Sequence, residues 1–159
     1  MDIIYRPIGV ARTPFKTLDG MPIQPSRAQG TQGMIEIDSK FEPGLKDLTG
    51  FSHILVVSHL HLMTPGDLVV IPFLDTESRG IFATRAPRRP NPIAISVFRL
   101  EGLAGACVHV LDVDLLDGTP ILDIKPYVPE FDARTDASLG WYANAAMKDR
   151  HVLSDKRFG

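Results

Sequence analysis

"CVHVLDVDLL", residues 107–116, decides the fold class. Leu111, Val113 and Leu115 alternate with Asp112 and Asp114, the period of two that marks a half-buried β-strand. The same alternation continues in "ILDIKPYV", after an Asp117-Gly118 hairpin signal. Upstream, "IAISVFRLEGL" and "GMIEID" read as strands, "HILVVSHLH" as a strand apolar on both faces and therefore central, and "DLVVIPFL" as a further short strand. "IIYRPIGVA" supplies a first strand that Pro7 confines to an edge or a bend. "EPGLKDLTGF" holds at most a helical turn.

Only near the C-terminus does the period change. Leu139, Tyr142, Ala143, Ala146 and Met147 recur at helical spacing behind Asp136 as a possible N-cap, although Gly140 weakens that helix. Seven or eight short strands with no intervening helices predict a mostly β fold. It should be a single compact β-barrel of short strands with one or two short helices, and not a Rossmann sheet. The expected organisation is one domain over 1–159, with a core of about 4–132 and a C-terminal helix of about 137–150.

Composition narrows the function. The 159 residues carry a net charge of −2, and 44% are hydrophobic. A non-specific nucleic-acid binder is normally basic overall, so any RNA partner must be met by a local patch. One cysteine, Cys107, rules out an intrachain disulfide and fits a reducing compartment. No apolar run reaches the ~20 residues that span a bilayer. The N-terminus "MDIIYRPIGV" lacks a basic n-region. The expectation is a cytoplasmic protein with no membrane partner. His53, His59 and His61 share one parity, but no Cys or Asp cluster completes a four-ligand set, so no metal is expected.

Two segments are dense in functional residue types. "TRAPRRPNPIAIS", residues 84–96, packs three prolines and three arginines into the approach to a strand. With Arg79, four arginines fall within eleven residues, and arginine's planar fork suits carboxylate, phosphate and base faces. "LLDGTPILDIKPYVPEFD", residues 115–132, reads equally as a turn followed by a strand or as a rigid wall presenting Asp117, Asp123, Lys125 and Tyr127 to a ligand. The stretch 13–33 lacks periodicity and reads as a long ordered loop or flap.

Both dense segments resemble signatures of the TsaA/YaeB-like (TrmO-type) family: TR-x-x-x-RPNPIG-x-S for the first and DGTP-x-x-DIKPY for the second. "IGVARTPF", "PIQPSR" and "GFSHI" resemble further blocks in the family's order, so the likeness runs from about Ile4 to Asp132. Ala94 stands where the family has a glycine.

The resemblance implies a β-barrel that binds S-adenosylmethionine, pairs as a homodimer with cofactor sites near the subunit interface, and N6-methylates N6-threonylcarbamoyladenosine beside the anticodon of tRNA. Members with that activity commonly carry an added C-terminal domain; this sequence ends at Gly159. Two alternatives stay open: a methyltransferase acting on a small-molecule acceptor, and a non-catalytic S-adenosylmethionine- or RNA-binding module.

Carried onto this sequence, the cofactor walls are the loop Gln24, Pro25, Ser26 and Arg27; the strand end with His61, Leu62 and Met63; Arg85 and Ile95; and the turn Leu115, Leu116, Asp117, Gly118, Thr119 and Pro120. Arg85, at the end of "IFAT" read as a strand, is expected to meet the cofactor carboxylate or the substrate. Arg88, Arg89, Asn91 and Lys125 are expected on the substrate side. Asp117, Asp123 and Tyr127 are open candidates for a general base.

Overall fold

The computed structural model describes residues 2–19, 21, 28–73 and 75–145. Six strands close into an antiparallel barrel in the order β1 (Gly9–Arg12), β2 (Gln32–Ile37), β7 (Cys107–Leu111), β6 (Ile93–Ala104), β3 (His53–His59) and β8 (Pro120–Pro126). Pairing of β8 with β1 completes the ring through Gly9↔Ile121 and Val10↔Pro120. Closure leaves no unpaired sheet edge, which is how a small all-β chain avoids edge-to-edge association. Two further strands, β4 (Val69–Val70) and β5 (Arg79–Gly80), form a separate two-stranded ribbon. The mostly β, non-Rossmann expectation is met.

Alternation fills the interior. Ile54 and Val56 on β3, Phe98 on β6, Val108 and Val110 on β7, and Ile35 and Ile37 on β2 converge on one core. The long strand β6 serves two neighbours: Ile93 to Arg99 pair with β3, and Arg99 to Ala104 pair with β7. Two irregularities bend the ladder, one between β3 and β8 at Val57/Ser58 and one between β6 and β7 at Leu100/Gly102. At the first, Leu122 is the extra residue, so Ile121 and Ile124 both stay on the inner face.

Three sequence expectations are corrected. The strand through "CVHVLDVDLL" stops at Leu111, because Asp112 takes a left-handed backbone (φ 66°) that an extended ladder cannot contain. Val113 and Leu115 are nevertheless buried. "IFAT" is not a strand: Ile81–Ala83 is a 3-10 turn. The C-terminal helix begins later than residue 137. Gly140 adopts φ 56°, outside helical space, and α2 starts at Tyr142 after a short α1 (Pro129–Asp132). α2 runs Tyr142–Ala145; the rest of the expected helix lies outside the described residues. Among the described residues no helix is long and apolar enough to cross a membrane.

Two substitutions test this packing. Phe98 is fully buried at the centre of the core, so Phe98→Ala should cost about 3–5 kcal/mol in denaturant unfolding. A Cβ at Gly9 would overlap the Glu36 carbonyl across the β1–β2 ladder, so Gly9→Ala should also destabilise the fold although it adds one methyl group. A Gly9→Ala variant as stable as the parent would contradict the close approach of β1 and β2.

Candidate functional site

Antiparallel alternation sends the connections out of two ends of the barrel. Residues 13–31, 60–92 and 112–119 leave from the end marked by His59, Ile93 and Pro120; residues 38–52 and 105–106 leave from the other. The first end therefore gathers most of the expected site: His61 to Met63, the 84–92 segment and the 115–120 turn. Gln24, Pro25, Ser26 and Arg27 belong to the 13–31 connection and lie outside the described residues.

The 13–31 connection is sewn to the 112–119 connection at both of its ends. On one side, Asp117 Oδ1 accepts from the Thr13 backbone N–H at 2.9 Å, Asp117 N–H donates to Phe15 O at 2.8 Å, and Lys16 Nζ pairs with Asp117 Oδ2 at 2.8 Å. The Thr13 hydroxyl donates to Leu115 O at 2.8 Å. On the other side, Asp112 Oδ1 accepts from the Gly30 N–H at 2.7 Å, and Val113 N–H donates to Thr31 O at 3.2 Å. Arg99 Nε holds the other Asp112 oxygen at 2.8 Å. Lys16 and the Thr13 N–H hold the Asp117 carboxyl below the usual carboxylate range, and Arg99 does the same for Asp112.

The proline-arginine segment is organised from within. Thr84, buried, donates its hydroxyl to Ile81 O at 2.9 Å and accepts from Ala86 N–H at 3.2 Å. Arg89 Nη1 donates to the carbonyls of Ile81, Thr84 and Ala86 at 3.1, 2.8 and 3.4 Å. Its guanidinium also lies over the Phe82 ring, 5.9 Å from the centroid. Arg89, expected on the substrate side, is thus an internal tie of the turn. Arg88 packs its stem against Gly66, half-buried. Arg79 is paired with Asp75 and Glu77 and lies over Trp141, whose Nε1 donates to Ala83 O at 2.7 Å. Arg85 is exposed and makes no hydrogen bond or ion pair with any described residue. Asn91 is exposed, and its carbonyl accepts from Ile93 N–H.

Other expected residues fall elsewhere. Tyr127 lies at the opposite end of β3: its N–H donates to His53 O and its ring packs edge-on against His53. From His53 to His59 a strand covers roughly 20 Å, so Tyr127 is not gathered with Arg85. Asp123 faces outward opposite Val57 and pairs with Lys125 at 2.6 Å. Ile95 also faces outward, 64% exposed, beside Val57. Leu115, Leu116 and Thr119 are buried, and Gly118 takes the left-handed φ (80°) that the turn requires. Among the described residues no group of three His, Cys, Asp or Glu converges as for a metal.

Three residues escaped the sequence reading. Asp114, taken as one of two acids alternating along a half-buried strand, turns toward β6 and accepts from Ser96 Oγ at 2.8 Å. Burial pushes its carboxyl up to about 7, against the opposing Ser96 hydrogen bond. Ser96 and Ser58 are buried on the inner faces of β6 and β3, and Ser58 Oγ has no hydrogen-bond partner among the described residues. The signal was present: both serines occupy the inward parity of otherwise apolar strands, in register with Phe98 and Val56. A cleft of about 410 Å³ on the outer face, lined by Gln32, Gly33, Glu101, Gly102, Leu103 and His109, contains none of the expected site residues.

These contacts carry two predictions. Arg89→Met should cost about 1.5–3 kcal/mol in unfolding, because it strips a charged donor from three carbonyls, while Arg88→Met should stay within about 0.5 kcal/mol. For Asp114, the folded value lies above the unfolded one, so its contribution to stability is present at low pH and lost as pH rises from 3.8 toward about 7. Asp114→Asn should therefore gain on the parent chain in denaturant midpoint between pH ~5 and ~8. A constant gap between the two would contradict the burial of the carboxyl.

Comparison with known proteins agrees with this geometry. Residues 10–133 match the family model of the tRNA-methyltransferase O N-terminal domain. A probable S-adenosyl-L-methionine-binding protein of Pyrococcus abyssi is 48% identical over 156 residues, covering 98% of this chain and 85% of that protein. The tRNA (adenine(37)-N6)-methyltransferase of Mus musculus is 33% identical over 147 residues, covering 87% of this chain and 34% of that enzyme. The crystal structure of TrmO from Pseudomonas aeruginosa superposes with a TM-score of 0.75 at 38% identity, covering 89% of this chain and 63% of that one. A closed antiparallel barrel, both signature segments at one of its ends, and a family match across nearly all of its strands lead to one assignment: the chain belongs to the tRNA-methyltransferase O family.

Proposed function

We propose that this chain is an S-adenosylmethionine-dependent methyltransferase that works in the cytoplasm on N6 of an adenosine in tRNA, with N6-threonylcarbamoyladenosine beside the anticodon as the acceptor. The observation that carries the reading is the convergence of the 60–92 and 112–119 connections at one barrel end, where Arg79 and Arg89 are committed to the fold while Arg85 and Arg88 make no ion pair with any described residue and Arg85 is the more exposed. The names of the relatives support the cofactor and the tRNA substrate.

The residues at this end fit the cofactor. An unpaired guanidinium suits its α-carboxylate, since Arg85 offers a bidentate fork. The orphaned Ser58 hydroxyl is a polar group still lacking a partner, and Leu62 and Met63 give an apolar flank. When bound, the cofactor supplies an electrophilic methyl group on a positively charged sulfur. The chain's own residues hold and align. Thr84, Arg89 and the three prolines fix the segment that presents Arg85, and the lacing through Asp112 and Asp117 fixes the flap opposite. Alignment of donor and acceptor is a large part of such catalysis, worth up to ~7–11 kcal/mol. With Asp117 committed to Lys16, it serves as a brace and not as the base.

A second barrel belongs to this reading. Ile93 and Ile95 stand exposed on the outer face of β6, and Leu62 is exposed just past β3. Ile95 faces away from the barrel interior, so it touches a cofactor only where another barrel closes that face. A homodimer joined there covers the apolar strip and brings Ile95 into the site. Arg88 and Asn91 face the acceptor in this arrangement, and Lys125 remains at the far end of β8.

The function is tested by mass spectrometry of tRNA nucleosides after incubation with the protein and S-adenosylmethionine. A mass gain of one methyl group on N6-threonylcarbamoyladenosine is expected. An unchanged nucleoside profile would remove the tRNA reading, and methylation of added small molecules in its place would favour the other acceptor class. Arg85→Met should weaken S-adenosylhomocysteine binding roughly ten- to a hundredfold by calorimetry, without loss of fold. Wild-type affinity in that variant would show that the Arg85 stem only covers apolar surface.

A further inference from the structure

Methylation of an N–H acceptor releases a proton, and the three base candidates read from the sequence are committed or distant: Asp117 to Lys16, Asp123 to Lys125, Tyr127 to the other barrel end. A fourth carboxyl stands at the right end. Asp112 turns the chain out of β7 with its left-handed backbone, and Asp114 follows between Val113 and Leu115, both packed in the core. Its Oδ1 takes a hydrogen bond from Ser96 Oγ at 2.8 Å.

Ser96 is opposite Val56, and Ser58 is opposite Ala94. The two serines are therefore diagonal neighbours on the inner face, with Ser58 one step nearer the loop end. Ser58 Oγ is fully buried and lacks a partner among the described residues, beside the β3–β8 irregularity. A buried hydroxyl without a partner costs free energy that a ligand atom can recover. An otherwise hydrocarbon barrel thus ends in a small polar floor beneath the three connections.

We infer that Asp114, oriented by Ser96, is the group that accepts the proton leaving the acceptor nitrogen, and that Ser58 donates a hydrogen bond to the ligand seated above it. This rests on the methyltransferase reading. The nitrogen lone pair forms the N–CH3 bond, and the S–CH3 bond breaks with its electron pair left on sulfur, so the sulfonium donor becomes a neutral thioether. The N–H pair returns to nitrogen, and the proton passes to the Asp114 carboxylate and then to water. Asp114 is the catalytic residue in this scheme and Ser96 a positioning residue.

The surroundings allow Asp114 to titrate alone. Asp112 is tied to Arg99 and Gly30 and Asp117 to Lys16 and Thr13; β6 presents Ser96, β3 presents Ser58, and the inner face of β8 presents Ile121 and Ile124. No charged side chain among the described residues acts on Asp114 itself. Burial raises its carboxyl to about 7, and Ser96 opposes that rise. It is thus a carboxylate above neutral pH and a neutral acid below, and the acceptor proton has a place to go only in the first form.

The test uses the full chain labelled with 13C-aspartate. The Asp114 carboxyl signal, assigned by its loss in Asp114→Asn, is followed from pH ~5 to ~9 without cofactor, and the single-turnover rate on tRNA over the same range. We expect an NMR midpoint near 7 and a rate that rises through the same pH. Ser96→Ala, which removes the lowering hydrogen bond, should move both midpoints upward together. Asp114→Asn should lower the rate about 10²- to 10⁴-fold while S-adenosylhomocysteine binding stays within a few-fold. A midpoint near that of ordinary aspartate, an Asp114→Asn variant with parental rate, or a Ser96→Ala variant with unmoved midpoints would overturn the proposal. A parent chain silent on every tRNA removes the methyltransferase reading and this role with it; an active parent with an active Asp114→Asn variant removes only the role of Asp114.

Discussion

The Asp112 turn is the constraint on which the rest of the structure depends. A non-glycine residue at φ 66° is uncommon, and here its carboxylate gives the turn its reason. One oxygen takes the Gly30 N–H and the other the Arg99 Nε, so a single side chain joins the end of β7 to β6 and to the flap. The turn ends the ladder at Leu111, drops Val113 into the core and points Asp114 at Ser96. Five residues after Asp112, Asp117 repeats the device from the other side, binding Thr13 and Lys16. The DGTP turn is held in place by these two acids, and the connection that carries Gln24 to Arg27 is pinned at both ends by them.

Charge is distributed by the same logic. Of the four arginines between residues 79 and 89, two are consumed by the fold. Arg79 answers Asp75 and Glu77, and Arg89 gathers the Thr84 and Ala86 carbonyls, which the proline-rich chain leaves without helical partners, and adds a donor to Ile81 O, which already accepts the Thr84 N–H. Prolines lack the N–H that would close these bonds internally, so a guanidinium supplies the donors. This internal satisfaction lets a segment that is rigid but not regular sit at the mouth of the barrel, and it leaves Arg85 exposed and unpaired among the described residues. Trp141, hydrogen-bonded to Ala83 O and stacked with Arg79, braces the same turn from the C-terminal side.

Much of the barrel was legible because inward and outward positions alternate along each strand, and β2, β3, β6 and β8 appear within a residue or two of where the pattern puts them. The pattern misled at Asp112 and Asp114: alternation continues in the sequence past the point where the backbone turns, since Val113 and Leu115 are buried from a loop and not from a strand. "IFAT" misled for a similar reason, its Ile81 packing beneath a short turn that leaves Phe82 exposed. Within the site, composition singled out the arginines but not their division of labour, because a surface cation and a carbonyl-binding cation are the same letter. Ser58 and Ser96 were readable as polar residues at core parity. Their importance comes from a diagonal neighbour relation across β3 and β6 that no local window contains.

The central claim is that the barrel end formed by 60–92 and 112–119 receives the cofactor. Its most direct measurement is the backbone amide spectrum of the protein titrated with S-adenosylhomocysteine. Shifts are expected at His61 to Met63, at the non-proline residues from Thr84 to Asn91 and at Val113 to Thr119, with the outer cleft around Gln32, Gly102 and His109 silent. Shifts centred on that outer cleft, with the loop end unchanged, would contradict it.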